Sequence, residues 1–319
     1  MKKTTNKVVL VGTGAVGSSF LYSAINRGIA EEYILIDAFP QVAEGNALDL
    51  EDAISFQDRP ATTIKAGTYK DAKDADVIVI TAGRPQKPGE TRLEMVADNA
   101  KIMKSIATEI KKSGFNGITV IASNPVDVMT YTYAHVTGFE KSKIISSGTS
   151  LDSSRLKIDI AKKINVSASD VNAYVLGEHG DSSVMSMSGA TIKGIPLKQF
   201  SDIYDFSSKK ECDEMQIRVS RKAYEIIDRK RATFYGIGAA LAQIVKAILR
   251  DEHKVIAVSP YLDGEYGVKD VFAGTPALIG ASGVVRILEF PINGIEKKQF
   301  VKSVKILKET IKVAMEAIK

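Results

Sequence analysis

Lys7-Val8-Val9-Leu10-Val11 runs directly into Gly12-Thr13-Gly14-Ala15-Val16-Gly17, and about twenty residues later a second apolar stretch, Tyr33-Ile34-Leu35-Ile36, ends in Asp37. Short apolar runs bounded by turn residues predict buried strands, and a helix-compatible pattern begins inside the glycine run. The glycines have separate tasks: the first permits a tight turn, the second lets backbone approach a pyrophosphate, and the third lets helix and strand pack closely. The helix N-terminus then faces the phosphates with unpaired N–H groups. A glycine turn can also be a plain connection. Asp37 decides between the two, because a carboxylate at the end of the second strand accepts both hydroxyls of an adenine ribose. The same charge repels a 2′-phosphate, and Ala38-Phe39 supplies no arginine to receive one. Gly12, Gly14, Val16, Gly17 and Asp37 are therefore candidate cofactor residues, and NAD is expected over NADP.

Outward from this unit the strand-like runs recur at Thr62–Ala66, Asp76–Ala82, Gly117–Ser123 and Lys143–Ser146, with helical patterns between several of them. Strand, helix, strand in repetition predicts an α/β, doubly wound parallel sheet of the Rossmann kind, with helices on both faces. Beyond Ser147 the order changes. A helix over Leu151–Ile164 is followed by β-like stretches at Val171–Leu176 and Ser183–Ile192 and by long helical patterns at Ser207–Asp228 and Arg229–Leu249. Lys254–Ser259, Val284–Phe290 and an amphipathic helix from about Glu296 complete an α+β half. We expect an NAD-binding domain over 1–146 and a substrate domain over 147–319, in extensive contact because no linker-like stretch separates them.

A chain of 319 residues that is 45% hydrophobic supplies real cores. The balance of 43 basic against 38 acidic residues gives a charge of +5 spread without a block of one sign, which argues against a nucleic-acid footprint. The single cysteine, Cys212, excludes an intramolecular disulfide and a cysteine-based metal cluster, so no metal is expected and a reducing, cytoplasmic setting is. Met1-Lys2-Lys3 before an apolar run mimics a secretory signal, but Gly12 and Gly14 break the run early. No window approaches the roughly 20 apolar residues of a membrane span.

A bound nicotinamide that gives hydride to a carbonyl needs a proton donor near neutral pH, and histidine is the usual choice. Of the three histidines, His135 sits in a helical stretch and His253 in a polar turn, both read as surface or packing residues. His179 differs. It lies in Gly177-Glu178-His179-Gly180-Asp181-Ser182, directly after an apolar strand, where flanking glycines admit a ligand. In Leu151-Asp152-Ser153-Ser154-Arg155 the i,i+3 spacing puts Asp152 and Arg155 on one helix face. That pair reads either as a local ion pair or as a ring-orienting carboxylate beside a two-pronged carboxylate anchor. Sequence spacing alone does not bring Asp152 to His179. Gly83-Arg84-Pro85-Gln86-Lys87-Pro88-Gly89-Glu90-Thr91-Arg92 follows the C-terminal end of a strand, over the ligand crevice of such sheets, and its composition suits a lid.

Together with Ser123-Asn124-Pro125-Val126-Asp127 and Ala232-Thr233-Phe234-Tyr235-Gly236, these motifs stand in an order that resembles the L-lactate dehydrogenase family, within the wider lactate and malate dehydrogenase superfamily and of bacterial type. The resemblance runs nearly end to end. It implies pyruvate and L-lactate as substrates, His179 as proton donor, Asp152 as its carboxylate partner, Arg155 as substrate anchor and Arg92 as the lid arginine that polarises the carbonyl. It further implies that Asn124 contacts nicotinamide and substrate, that Thr233 lines the pocket, and that the chain forms a homotetramer. Gln86 stands where malate enzymes typically have an arginine, and a neutral glutamine leaves the second carboxylate of oxaloacetate buried without a partner, which costs several kcal/mol.

Two departures bear on regulation and specificity. Many bacterial members bind fructose bisphosphate through an arginine and a histidine at the positions held here by Lys157 and Asn172, so weak or absent activation is expected. Arg84 replaces a small or apolar residue; it is expected to reach solvent, but pointing inward it would partly replace the malate-type arginine. Malate dehydrogenase, a dehydrogenase for bulkier acids such as 2-hydroxyisocaproate, and a non-catalytic NAD-binding scaffold are the competing readings. The scaffold predicts decay of His179, Asp152, Arg155 or Arg92, and all four are present.

Overall fold

The computed structural model describes residues 5–57, 61–84, 92–206 and 208–319. The first half alternates β1 (Lys7–Val11), α1 (Ala15–Asn26), β2 (Glu32–Ile36), α2 (Pro40–Asp52), β3 (Thr63–Ala66), β4 (Val77–Ile80), α3 (Arg92–Ser113), β5 (Ile118–Ile121), α4 (Val126–Thr137) and β6 (Ile144–Ser146). All six strands are parallel and lie in the order β3-β2-β1-β4-β5-β6. The strand order reverses between β1 and β4, and this switch point opens the crevice in which doubly wound sheets bind ligands.

Alternation within each strand explains why these runs are apolar throughout. Val8 and Leu10, Tyr33 and Leu35, and Val77 and Val79 face one layer, while Val9 and Val11, Ile34 and Ile36, and Ile78 and Ile80 face the other. A strand covered on both faces has no polar side to show. One layer is built by α1 and α2, the other by α3 and α4.

The second half begins with α5 (Ser150–Ile164) and continues through short strands β7 (Val171–Asn172), β8 (Val175–Leu176), β9 (Val184–Met185), β10 (Thr191–Ile192) and β11 (Ile195–Pro196). Then come α6 (Lys209–Lys230), α7 (Tyr235–Leu249), β12 (Lys254–Val258), β13 (Tyr261–Asp263), β14 (Lys269–Phe272), β15 (Thr275–Gly280), β16 (Gly283–Ile287) and α8 (Gly294–Ala317). The expected strand over Val171–Leu176 divides, because β7 pairs with β10 and β8 with β9 in separate sheets. The helix expected from Arg229 starts only at Tyr235, since Arg231 takes a left-handed φ of 71° that closes α6. The antiparallel pairs β13–β14 and β12–β15 were not foreseen.

Two helices of this half complete the first. Leu241, Ala242, Ile244 and Val245 of α7 join the layer of α1 and α2, and Phe300, Val304, Leu307 and Ile311 of α8 join that of α3 and α4. Full burial of side chains of this size contributes about 1.5–3 kcal/mol each, so the halves are packed as one body. Among the described residues no helix is long and apolar enough to cross a membrane, and no cluster of three or more His, Cys, Asp or Glu side chains is arranged to hold a metal.

Candidate active site

The glycine turn leaves β1 with Gly12 at φ 97°, a conformation in which any side chain is strained and a Cβ would strike the backbone of Ala82. A Cβ on Gly17 would collide with the carbonyl of Gly12, whereas Gly14 has open space beside it. Gly14 caps α1 with no side-chain hydrogen bond, so the first-turn amides near Val16 are left for an outside acceptor. Asp37, at the end of β2, accepts the Thr13 amide and hydroxyl on Oδ2 at 2.7 and 2.8 Å and the Phe39 amide on Oδ1 at 3.1 Å. Burial works to raise its pKa, but these donors outweigh it and hold the carboxyl below its ordinary value. A side-chain-free anion cradle beside an ionised carboxylate with lone pairs to spare fits the pyrophosphate and adenine ribose of NAD.

Asp152, Arg155 and His179 come together across α5 and the loop after β8. Asp152 and Arg155, one turn apart in α5, are both buried, at 8% and 7% exposure. Arg155 Nη1 donates to Asp152 Oδ1 at 3.2 Å, and Asp152 Oδ2 meets His179 Nδ1 at 2.6 Å. Both readings of the i,i+3 pair therefore describe the same carboxylate, which binds an arginine on one oxygen and an imidazole on the other. Asp152 is the one side-chain partner of Arg155 among the described residues, leaving the rest of a five-donor fork for another acid.

His179 reaches Asp152 because its loop is held on several sides. Gly177, at φ 89°, forms an isolated bridge with Gly274. The Glu178 amide donates to Ser303 Oγ of α8 at 2.9 Å, and the His179 amide donates to Asp127 Oδ2 at 2.8 Å. Ser153 Oγ of α5 accepts the Val175 amide at 2.9 Å, fixing the strand that delivers the loop. The Asp152 charge, against the opposing effect of burial, raises the His179 pKa to about 9. Asp152 in turn is disfavoured by burial, yet the His179 charge and hydrogen bond and Arg155 bring its pKa below the usual carboxylate value. The arrangement is a buried carboxylate, an imidazolium with Nε2 left to exchange a proton, and an arginine beside them.

Asn124 is exposed at the end of the β5 loop, with its carbonyl accepting Asn99 Nδ2 at 2.9 Å, and Thr233 is half-buried in the break between α6 and α7. Gln86 lies outside the described residues, as does the side chain of Arg92, the first residue of α3. Arg84 does not reach freely into solvent: its Nε and Nη2 donate to Asp98 Oδ2 on α3 at 3.0 and 2.7 Å. An acidic partner one helix away overrides the tendency of loop arginines to extend. His135 and His253 are exposed, and His253 Nδ1 lies 3.4 Å from Asp251 Oδ1 in its own turn. Sequence reasoning passed over Asp127, Ser259 and Ser303; only Asp127 carried a signal, as the last residue of the Ser123–Asp127 motif.

Against known proteins, residues 6–146 match the model of the NAD binding domain of lactate/malate dehydrogenase and residues 149–318 that of its alpha/beta C-terminal domain. The L-lactate dehydrogenase of Mycoplasma mycoides subsp. mycoides is 58% identical over 98% of both chains, and that of Mesoplasma florum 54% over the whole of both. The ligand-bound crystal structure of the minor L-lactate dehydrogenase from Enterococcus mundtii superposes with a TM-score of 0.94 at 44% identity, covering 97% of this chain and 98% of that one. With both domain models matched, relatives alike from end to end and the same fold in a solved structure, the chain belongs to the lactate/malate dehydrogenase family and carries its NAD-binding domain.

Proposed function

We propose that the protein is an NAD-dependent L-lactate dehydrogenase that interconverts pyruvate and L-lactate. The observation that carries the catalytic reading is the 2.6 Å contact of His179 Nδ1 with a buried Asp152 whose other oxygen holds Arg155. The two relatives and the solved structure cited above, all named L-lactate dehydrogenases, support the substrate over the malate and hydroxyisocaproate alternatives. Bound NADH supplies the hydride for the substrate's carbonyl carbon.

The chain's own residues do the rest. Arg155 pairs with the substrate carboxylate through the donors that Asp152 leaves over, and so fixes which end of the molecule lies against α5. Asp152 commits Nδ1 of His179, so Nε2 gives its proton to the keto oxygen in reduction and takes it back in oxidation. A pKa raised to about 9 keeps the ring protonated at neutral pH, as reduction requires. Arg92 is assigned to polarise the carbonyl, Asn124 to contact nicotinamide and substrate, Thr233 to line the pocket, and Gln86 to refuse a second carboxylate. Gly12, Gly14, Val16 and Gly17 are assigned to the pyrophosphate and Asp37 to the ribose. The division into domains at 146/147, a homotetramer and a cytoplasmic location belong to the same proposal.

NADH consumption measured in parallel with pyruvate, oxaloacetate and 2-ketoisocaproate tests it. Preference for pyruvate by at least tenfold in kcat/KM is expected. Preference for either of the others reassigns the substrate, and turnover of none supports a scaffold. His179→Asn should retain NADH binding and lose most turnover.

A further inference from the structure

Arg84 stands just past β4, where the carboxyl end of the parallel sheet opens onto the ligand crevice. Its backbone is pinned from α3: the Arg84 amide donates to Asn99 Oδ1 at 2.9 Å, and its carbonyl accepts from Asn99 Nδ2 at 3.1 Å. Asn99 is buried at 3% exposure, and the same Nδ2 donates to the Asn124 carbonyl at 2.9 Å. One amide side chain therefore ties Arg84 to Asn124, the residue assigned to nicotinamide and substrate. With the backbone fixed, side-chain torsions decide where the guanidinium goes, and Asp98 sets them. Neighbouring positions of a helix stand about 100° apart, so α3 holds the Arg84 backbone with one residue and its side chain with the one before. The guanidinium gives Nε and Nη2 to Asp98 Oδ2 at 3.0 and 2.7 Å, with the arginine side chain 20% exposed.

We propose that Asp98 is a specificity-determining residue: it captures a cation at the mouth of the crevice that would otherwise pair with the second carboxylate of a dicarboxylic 2-keto acid. The inference rests on the pyruvate reading above and adds to the role assigned to Gln86. Arginine stays charged at every working pH, and its planar fork matches a carboxylate in two-pronged fashion. A neutral side chain at position 86 withholds a partner from such a substrate only if no other guanidinium within reach supplies one. The Asp98 carboxylate offsets the Arg84 charge and takes two of its donors, so a dianion gains neither the attraction nor the fork. Pyruvate has one carboxylate, assigned to Arg155 on α5, and makes no demand on the pair.

Reduction of oxaloacetate and pyruvate at saturating NADH by wild type, Asp98→Ala, Asp98→Glu and the double variant Asp98→Ala/Arg84→Ala tests this. Asp98 is half-exposed on a helix, where alanine is the best-tolerated replacement. In Asp98→Ala the ratio of kcat/KM for oxaloacetate to that for pyruvate should rise about tenfold, the scale of one charge-assisted hydrogen bond. The rise should come through a lower KM for oxaloacetate, with kcat/KM for pyruvate within about twofold of wild type. Asp98→Glu keeps a carboxylate for Arg84 and should hold the ratio within about twofold of wild type. The double variant should return to the wild-type ratio. An unchanged ratio in Asp98→Ala overturns the proposal, and so does a rise that survives in the double variant, since it would not run through Arg84. An Asp98→Glu that matches Asp98→Ala would assign the effect to disturbed packing of α3 and overturn it too. A wild type that does not reduce pyruvate defeats the lactate reading itself, whereas a pyruvate-reducing wild type with an unmoved ratio in Asp98→Ala defeats this inference alone.

Discussion

Replacing Asp152 by asparagine keeps the shape of the group that holds His179 and removes its charge. The His179 pKa stands at about 9 against an ordinary 6.5, with the Asp152 charge as the first cause and its hydrogen bond as a further one. That rise of 2.5 units is worth about 3.4 kcal/mol of preference for the imidazolium at about 1.36 kcal/mol per unit. Without the charge, burial and Arg155 act to lower the pKa and Asp127 to raise it, so it should return toward the ordinary 6.5. At about pH 7.5 the protonated fraction would fall from ~97% to ~10%, while at about pH 5.5 it would stay near ~90% if the pKa settles at 6.5. The ratio of wild-type to variant kcat/KM for pyruvate reduction should therefore grow about tenfold between those two pH values, on top of any constant loss from a less firmly held ring. Lactate oxidation needs the neutral ring, so its alkaline requirement should relax over the same window. Initial rates with saturating NADH across about pH 5.5 to 9.5 measure both. A variant-to-wild-type ratio that stays constant with pH would refute the reasoning, because it would mean that Asp152 places the ring without setting its charge.

Arg155→Gln should cost about 1.5–3 kcal/mol of substrate binding, ~10- to 150-fold in kcat/KM, and move the alkaline limb up because Arg155 lowers the His179 pKa; an unchanged KM for pyruvate removes it from the substrate's carboxylate. Asp37→Ser should narrow the preference for NADH over NADPH by at least tenfold, read from the ratio of their kcat/KM values, since it removes the charge that repels a 2′-phosphate; an unaltered ratio places the ribose elsewhere. Fructose bisphosphate should leave the half-saturating pyruvate concentration within about twofold, because Lys157 is half-buried with its ammonium over the Tyr174 ring at 5.1 Å and Asn172 supplies no cationic donor. A large fall on adding it would show that a lysine there suffices.

The parallel sheet was legible because its signals are local. A glycine turn after an apolar strand and a carboxylate at the end of the next strand fix one β-α-β unit, and repetition of the pattern fixes the rest. Asp152 and Arg155 were legible as one helix face, and His179 by elimination among three histidines. Their meeting was not, because it depends on where β8 delivers the loop, and that is set by contacts such as Ser153 to the Val175 amide and Gly177 to Gly274. The split of Val171–Leu176 into two sheets escaped notice for the same reason: two-residue strands carry no periodicity. Arg84 shows the limit of residue statistics, since Asp98 lies fourteen positions along the chain and captures it. Asp127 stands in the sequence only as the last residue of the Ser123–Asp127 motif, and only tertiary structure reveals that its oxygens accept the His179 amide and the Ser259 hydroxyl.

The placement of these anchors has a consequence for how reaction geometry is maintained. In the proposed reaction the hydride donor is held by the first half of the chain and the proton donor, His179, by the second, so an error in their relative position would separate two transfers that must converge on one carbonyl. The His179 loop meets that requirement by attachment to both halves: Asp127 on α4 takes the His179 amide, Ser303 on α8 takes the Glu178 amide, and Asp152 on α5 takes the ring. Ser146 at the end of β6 bridges to Ser259, Ser259 donates to Asp127, and Asp127 accepts the His179 amide, so three contacts lead from the last parallel strand to His179. Burial of α7 and α8 against opposite faces of the sheet makes this junction part of the core rather than a hinge. Anchoring of this kind serves the roughly 0.5 Å positioning that a productive constellation requires. On the role proposed for Gln86, a single charge at that position would change which acid is left unpaired, while the anchors of His179 lie on α4, α5 and α8 and would stay in place.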